Sequence, residues 1–391
     1  MSERIFVHEY TAVCALGRGK TEITKNLGDG IGPGIRSSDQ WRKNGAQAFL
    51  GHVDAELRPV PIARHDTRNN RILQLCLDEL HGPIREMLAK VGADRFAVVA
   101  GTSTSGISEA EDALLDSPPG GIREDYDYAS QEFGSPAAFA AELIGARGPC
   151  FTLSTACTSS TNAFLSARRL LRGGLADAVL VIGADSLCRT TVEGFISLEA
   201  VAERRCEPMS RNRQGINIGE GSAVFLLSRL PARLELLGAG ESCDAFHLSS
   251  PEPEGKGAEG AMRHALSDAK LRPDEISYVN LHATGTAKND AMESLAMSRV
   301  FPSGVPCSGT KPLTGHTLGA AGAVEAVICC LAMEADFIPR HVWDGQPDPQ
   351  LPGLRLAQTH ARFPAGDYRR CMTNNFAFGG SNVSLIFGFT P

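Results

Sequence analysis

Two stretches of the sequence, one in each half of the chain, follow the same plan. Residues 148–171 are GPCFTLSTACTSSTNAFLSARRLL, and residues 304–331 are GVPCSGTKPLTGHTLGAAGAVEAVICCL. Each predicts a short strand with a cysteine, a turn rich in Ser and Thr, and a helix that begins with small residues. Small side chains at a contact let two helices approach closely. We therefore predict an internal duplication whose two helix N-termini meet in one central site.

The remaining pattern predicts an α/β fold. Continuous apolar runs at residues 96–100 and 178–183 are typical of strands buried on both faces, and apolar residues recur at near-helical spacing over residues 69–91. The Gly82-Pro83 pair could kink or split that helix. Strands that alternate with helices predict a sheet covered on both sides. Further strands are predicted at residues 5–7, 149–154, 276–281, 305–308 and 383–387, and further helices at 20–26 and 319–335. Residues 155–172 form a long run of small residues in which a helix is expected to begin at Cys157.

Composition excludes several classes of protein. The 391 residues are 42% hydrophobic and 21% charged, which is enough apolar material for a core and excludes disorder. The net charge of −7 gives no sign of a nucleic-acid binder. The longest apolar runs, 178–183 and 326–333, are far shorter than the ~20 residues that span a membrane. Eleven cysteines without a CxxC, and no signal peptide, predict reduced thiols and a cytoplasmic location.

Cys157 is the first candidate for chemistry. It follows a predicted strand in the sequence STACTSS (154–160), where a helix is expected to begin. Free N–H groups and partial positive charge at a helix N-terminus stabilise a thiolate. The alternative is a buried structural cysteine, which is the common role of this residue type. The surrounding hydroxyl-bearing side chains favour a nucleophile.

His282 and His316 are the next candidates. His282 ends a predicted strand in VNLHATGTAKND, and His316 precedes a predicted helix in GTKPLTGHTLGAAG. A single histidine in such a place is usually a hydrogen-bonded structural residue. A cysteine nucleophile with two imidazoles could instead transfer acyl groups and stabilise an oxyanion. A metal site is the rival interpretation, but no HExxH, HxxxH or paired-cysteine spacing supports it.

Three glycine-containing motifs are weaker signals. GTSTSG (101–106) lacks the spacing of a nucleophile elbow and predicts a turn, and GDGIGPG (28–34) lacks the following βαβ unit of a dinucleotide site. NNFAFGGSN (374–382) is more informative, because Gly379 and Gly380 permit positive φ angles. It predicts a mobile lid over an apolar channel, or alternatively a tight turn before the last strand.

Six motifs in order along the chain resemble the β-ketoacyl-acyl carrier protein synthases of the I/II type, in the thiolase-like superfamily. They are STACTSS, EPMSRNRQGINIGEGSAVFLLS, GAGESCDAFHLSSP, VNLHATGTAKNDAMES, GTKPLTGHTLGAAGAVEA and NNFAFGGSNVSLIFG. The resemblance spans nearly the whole chain. It implies a five-layer α-β-α-β-α fold with duplicated halves, residues 1–231 carrying the nucleophile and residues 232–391 carrying both histidines.

The resemblance also implies a role for each matching residue, and no metal or cofactor. Cys157 would accept the acyl group, with His282 and His316 completing a Cys-His-His triad. Lys311 would be an electrostatic lysine and Glu325 its buried partner. The other implied roles are an oxyanion hole from the N–H groups of Cys157 and Phe378, a gate from Phe378 beside Phe376 on the mobile Gly379-Gly380 loop, and substrate binding by Thr284 and Thr286.

The implied reaction is a decarboxylative condensation of malonyl-acyl carrier protein with an acyl group on Cys157. The partners would be acyl carrier protein in its acyl and malonyl forms, and a second subunit in a homodimer or in a heterodimer with a chain-length-factor-like sister. A type III synthase would carry Asn in place of His316, and a thiolase would carry a second cysteine near residues 374–382. A chain-length factor would lack Cys157.

Some positions depart from the family pattern. Ala283 stands where Gly is usual, and Glu207 stands where many relatives have an Arg for carrier contact. With RIFVHEYTAVCALG, TRNNRILQL and GAGESCDAFH, these departures resemble the stand-alone ketosynthases of aryl polyene pigment clusters. Housekeeping fatty-acid elongation and a non-catalytic pairing subunit remain alternatives. A patch for the acidic carrier is predicted at four arginines: Arg68, Arg71, Arg211 and Arg213.

Overall fold

The computed structural model describes residues 4–42, 45–115, 121, 126–359, 361–364 and 369–389. Thirteen strands lie within these residues: β1 (Phe6–Cys14), β2 (Gly17–Arg18), β3 (Ile35–Ser38), β4 (Ala48–Gly51), β5 (Phe96–Gly101), β6 (Cys150–Leu153), β7 (Ala178–Asp185), β8 (Gly221–Ser228), β9 (Leu234–Cys243), β10 (Tyr278–Asn280), β11 (Cys307–Ser308), β12 (Arg370–Phe376) and β13 (Ser381–Phe389).

The same part of the chain contains eleven α-helices. They are α1 (Gly19–Asp29), α2 (Arg68–Glu79), α3 (His81–Val91), α4 (Ile107–Leu115), α5 (Ser135–Ile144), α6 (Ser159–Arg172), α7 (Arg189–Ser197), α8 (Lys256–Ala269), α9 (Ala287–Val300), α10 (Lys311–Thr314) and α11 (Ala321–Ala335). Short 3₁₀ turns at Leu318–Ala320 and Phe378–Gly380 lie beside the candidate functional residues.

The strand order confirms the predicted duplication. One half of the sheet has the order β6-β5-β7-β8-β1, and the other has β11-β10-β12-β13-β9. In each half the first three strands are parallel and the last two are antiparallel to their neighbours. If the five strands of each half are counted in the order in which the chain forms them, strands with the same count occupy the same position in both halves of the sheet. The division at 231/232 falls in the connection between β8 and β9, and it stays a prediction.

The helices form three layers around the two halves of the sheet. In the central layer, α6 packs on β5 and β7 while α11 packs on β12 and β8. Helices α2, α3 and α5 cover the outer face of the first half through one apolar cluster, and α8 and α9 cover the second half through another. The five-layer α-β-α-β-α arrangement is confirmed, and it places the N-terminal ends of α6 and α11 near each other at the centre.

Several elements have different bounds from those predicted. Strand β1 extends to Cys14, well past the predicted residues 5–7, because the polar Thr11 inside it is satisfied by a hydrogen bond from its hydroxyl to Glu79 (2.8 Å). The predicted helix 69–91 is split into α2 and α3 at Leu80. Pro83 explains the split, because it lacks the N–H that would bond to the carbonyl of Glu79 and continue α2.

One helical stretch, Leu318–Ala335, is long and apolar enough to cross a membrane by composition. It is longer than the apolar run at residues 326–333 that the sequence suggests. Because 89% of it is buried inside the fold, it serves as a core helix.

Candidate active site

Cys157 lies in a tight turn between β6 and α6. Ala156 just before it has a left-handed φ of +53°, which is uncommon for a residue with a side chain. The Ser159 hydroxyl closes the turn by accepting from the Thr155 N–H (2.9 Å) and donating to the Ala156 carbonyl (2.6 Å). This local network explains why a run of Ser and Thr surrounds the cysteine.

His316 reaches the same point from the second half of the fold. Its N–H donates to the carbonyl of Asn217 (2.6 Å), and its carbonyl accepts from the N–H of Gly219 (2.9 Å). These bonds fix the backbone, so that the Nε2 atom lies 3.0 Å from the Cys157 sulfur. The structure thus brings together two candidates that are separated by 159 residues in sequence.

His282 completes the group. Its ring lies 5.4 Å from the His316 ring at an angle of 85°. Its backbone N–H and that of Ala283 donate to the two carboxyl oxygens of Glu293, each at 2.7 Å. Glu293 lies on α9 and is fully buried, so it holds the turn that carries His282. The sequence analysis did not single out Glu293.

Lys311 and Glu325 form a buried ion pair behind His282. The Lys311 ammonium bonds to Glu325 and to the His282 carbonyl, and it lies 3.4 Å from the His282 Nδ1 atom. The other Glu325 oxygen accepts from the Asn375 side chain (2.7 Å). Each charge therefore has a partner, as buried charges require. Asn375 is a second residue that the sequence analysis missed.

The ionisation of the site follows from burial and from Lys311. Burial, the Lys311 charge and the neighbouring His316 ring hold the pKa of His282 well below its usual range. Burial and Lys311 do the same to the pKa of His316. Both rings are therefore neutral near pH 7 and can each offer one N–H.

Cys157 is a thiol in this site, which corrects the inference of a thiolate stabilised by a helix N-terminus. Burial raises its pKa to about 11, although Lys311 and two backbone N–H groups act in the opposite direction. Helix α6 begins only at Ser159, two residues after the cysteine. The loss of solvation at Cys157 therefore exceeds the favourable effect of the local charges.

The two N–H groups that act on the sulfur are those of Cys157 and Phe378. They are the pair expected to form an oxyanion hole. Two donors aimed at one point can stabilise the negative oxygen that develops when a carbonyl is attacked. That role stays a prediction.

Three ligand atoms, from Cys157, His282 and His316, lie within 4.8 Å of one another and could in principle hold a metal ion. The Lys311 ammonium beside His282 would repel a cation there. Structural zinc sites in addition take four protein ligands. The arrangement therefore favours acyl-transfer chemistry.

Phe378 lies in the 3₁₀ turn that precedes β13. Its ring stacks on Phe195 of α7 with 5.7 Å between centroids, and Phe376 lies beside the His282 ring at 6.0 Å. Gly379 and Gly380 have φ angles of +83° and +80°. The glycine pair thus makes the tight turn that the sequence offered as one alternative, and movement of a lid stays a prediction.

A cavity of about 350 Å³ opens onto Cys157 and both histidines. Phe376 and Phe378 contribute to its apolar wall, and the predicted substrate-binding residues Thr284 and Thr286 line it as well. The hydroxyls of the two threonines lie 2.9 Å apart. All the predicted site residues except Lys311, Glu325 and the glycine pair contribute to this lining.

Two of the four arginines in the predicted patch are held by carboxylates elsewhere in the fold. Arg68 is bound to the fully buried Glu220 at 2.6 Å, and Arg213 is bound to Asp348 at 2.6 Å with only 10% of its side chain exposed. Both serve to hold the fold together. Arg71 pairs with Asp66 and Arg211 bonds to Gln346. For all four arginines, a part in carrier docking stays a prediction.

Comparison with known proteins gives consistent matches. The beta-ketoacyl synthase N-terminal domain matches residues 84–232, and the C-terminal domain matches residues 234–343. A 3-oxoacyl-[acyl-carrier-protein] synthase 2 from Synechocystis sp. is 31% identical over 98% of both chains.

Solved structures agree over nearly the full length. The ketosynthase ApeO, in complex with its chain length factor ApeC from Xenorhabdus doucetiae, is 42% identical, with a TM-score of 0.93 over 99% of this chain and 98% of that one. The ishigamide ketosynthase/chain length factor is 27% identical, with a TM-score of 0.87 over 99% of each chain.

Proposed function

Because the chain belongs to the β-ketoacyl synthase family, we propose that it elongates polyene or polyketide-type acyl chains with malonyl units from an acyl carrier protein. It is a condensing acyltransferase, a 3-oxoacyl-[acyl-carrier-protein] synthase. The observation that carries the proposal is the convergence of one thiol, two neutral imidazoles and two N–H donors in a single cavity.

In the first half-reaction, Cys157 takes the acyl group from a thioester. Its sulfur attacks the thioester carbonyl while its proton passes to the Nε2 atom of His316, 3.0 Å away. The N–H groups of Cys157 and Phe378 stabilise the oxyanion. The C–S bond to the carrier then breaks, and the departing thiolate takes the proton from His316.

In the second half-reaction, a malonyl thioester loses CO₂. The electron pair of the broken C–C bond enters an enolate, whose oxygen accepts hydrogen bonds from the His282 and His316 rings. The enolate carbon attacks the acyl group on Cys157, and the sulfur leaves and regains a proton from solvent. Lys311 supports this step by keeping His282 neutral.

The partner that we propose is a chain-length-factor-like sister subunit, in a cytoplasmic heterodimer. Strand β6 lies at one edge of the described sheet, and its residue Phe151 exposes 37% of its surface. An exposed sheet edge with an apolar side chain is suited to pairing with another subunit. The ApeO structure is a complex of a ketosynthase with a chain length factor, which supports the same arrangement.

The alternatives are a homodimer for saturated fatty-acid elongation and a non-catalytic pairing subunit. The 31% identity to a 3-oxoacyl-[acyl-carrier-protein] synthase 2 favours fatty-acid elongation over a non-catalytic subunit. The intact set of Cys157, His282 and His316 also opposes a non-catalytic role. A rigid conjugated chain cannot coil within a short cavity. We therefore infer that its channel runs toward the subunit interface.

Competition between polyenoyl and saturated acyl-carrier substrates of equal length tests the proposal. The protein is assayed alone and with a candidate sister subunit, and the acyl groups trapped on Cys157 are identified by mass spectrometry. A higher kcat/KM for the polyenoyl chain is expected. A clear preference for the saturated chain in both assays would defeat the polyene assignment and leave general elongation.

A further inference from the structure

One wall of the active-site cavity is formed by every second residue from His282 to Lys288, and the exposure of these residues to solvent increases along the wall. His282 is 1% exposed, Thr284 is 7% exposed, Thr286 is half-buried and Lys288 is exposed, and all four line the cavity. This gradient runs from the reacting centre at His282 to the solvent at Lys288. Lys288 therefore marks the mouth through which a thioester enters.

At this mouth, Lys288 contacts the segment that connects β9 to α8. Its Nζ atom donates to the Ser250 hydroxyl at 2.8 Å, and Ser249 and Ser250 both line the cavity. Lys288 is also the second residue of α9, in the first turn of the helix. The N-cap residue Thr286 makes no capping bond with its side chain, so the N–H groups of this turn are left to other acceptors.

Lys288 supplies positive charge that no carboxylate among the described residues neutralises. In the described part of the chain, three charged residues line the cavity: Glu199, Arg213 and Lys288. Arg213 is paired with Asp348, whereas Lys288 forms no ion pair with any of the residues that the structure describes. Glu199 is exposed on the wall that follows α7. An ammonium group, serine hydroxyls and helix first-turn N–H groups are all hydrogen-bond donors to phosphate.

We propose that Lys288 and Ser250 bind the phosphodiester of the prosthetic arm on which the carrier protein delivers its thioester. The inference rests on the proposed function, because a carrier-bound thioester hangs on a phosphopantetheine arm. The thioester must reach Cys157 at the inner end of the cavity while the phosphate stays outside. The one unneutralised cation of the described lining stands at that outer end.

The test compares two malonyl thioesters that differ only in the phosphate, malonyl phosphopantetheine and malonyl pantetheine. For Lys288→Gln, the ratio of kcat/KM between the phosphorylated and unphosphorylated substrates should fall about three- to tenfold, as for one partly exposed charge-assisted bond. Ser250→Ala should lower the ratio by a smaller factor. Lys256→Gln is the matched control, because Lys256 is an exposed lysine in the first turn of α8, outside the cavity, and the ratio should stay unchanged.

Two results would overturn the inference. An unchanged ratio in Lys288→Gln would mean that the lysine does not contact the phosphate, and equal losses on both substrates would mean that it only supports the shape of the mouth. Failure of the proposed function is distinguishable from either result. In that case the parent enzyme itself would condense neither thioester.

Discussion

Replacing Cys157 with alanine separates the two halves of the reaction. The variant lacks the atom that carries the acyl group, but the two imidazoles that stabilise the enolate remain in place. We expect no acyl transfer and no condensation, with decarboxylation of malonyl thioester still measurable as release of CO₂. Substantial 3-ketoacyl product from this variant would contradict the assignment of Cys157.

His282→Ala and His316→Ala should each slow decarboxylation. Each removes one donor to the enolate oxygen, for which a loss of ~10²–10³ in rate is typical. Acylation of Cys157, followed by mass spectrometry, should be less affected in His282→Ala, because the ring that contacts the sulfur is that of His316. If both variants decarboxylated at the parent rate yet failed to acylate Cys157, the two histidines would serve acyl transfer and not decarboxylation.

Alkylation of Cys157 by iodoacetamide should accelerate with pH beyond the range of an ordinary thiol. Burial raises the pKa from 9.0 to about 11, so the thiolate fraction grows about tenfold per pH unit up to that value. Quantifying the peptide that contains Cys157 at several pH values measures this dependence. A rate that reaches its plateau below pH 8 would show a thiolate at neutral pH, contrary to the expectation.

The sequence could identify residues whose position follows from local structure. Cys157 and His316 lie in turns shortly before helices, and His282 lies shortly after a strand, so the predicted topology was enough to bring them together. Glu293 and Asn375 could not be found in this way, since each acts on a residue from another element. The ion pair of Arg68 could not be found either, because its partner Glu220 is 152 residues away.

At the level of elements, the unusual Ala283 is explained by Gly309 in the neighbouring loop. Ala283 is fully buried with a φ of +38°, and a Cβ atom built on Gly309 would lie 2.4 Å from that of Ala283. Gly309→Ala should therefore lower the free energy of unfolding by about 1–3 kcal/mol through overpacking. Denaturant unfolding measures this loss.

The double variant Ala283→Gly/Gly309→Ala is the control for that loss. Removing the Ala283 methyl group clears the space that the new side chain needs, so the double variant should be more stable than Gly309→Ala alone. If it is not, the contact between the two loops does not determine the cost.

Apolar runs predicted the buried strands β5 and β7 nearly to the residue, because both faces of these strands are covered. The pattern failed where polar residues in a strand are satisfied from elsewhere, as Thr11 is in β1. It also placed the start of α6 too early, because the Ser159 hydroxyl bonds locally and delays the helix until after Cys157. The ends of these elements depend on hydrogen bonds, which the spacing of apolar residues does not reveal.

At the scale of the whole molecule, Asp185 at the end of β7 ties the two halves together. One of its oxygens accepts from the backbone N–H and the hydroxyl of Thr104, among others, and the other oxygen accepts from the N–H of Ala320, just before α11 (3.0 Å).

Asp185→Ala leaves several buried donors unpaired and should lower the free energy of unfolding by about 3–5 kcal/mol. The exposed Asp78→Ala should change it by less than about 0.5 kcal/mol. Equal unfolding midpoints for both variants would contradict this role.

The repeat of strand–turn–helix units was sufficient to predict the duplicated architecture, because two units with the same order of elements bury corresponding faces of their strands and helices. The way the two halves of the sheet pair with each other was not predictable, since β1 and β9 pair through only Phe6 and Val7 with Glu235 and Leu234. A contact of two residues leaves no periodic signal in a sequence.

The position of β13 has a consequence for the order in which a nascent chain can fold. This strand comes near the end of the described chain, yet it lies between β12 and β9 and pairs with both. During synthesis the first half can close once residues 221–228 of β8 are available to pair with β1. The second half cannot close until residues 381–389 have left the ribosome. Because the Phe378 N–H enters the site from the turn just before β13, the active site can be complete only after the second half of the sheet has closed.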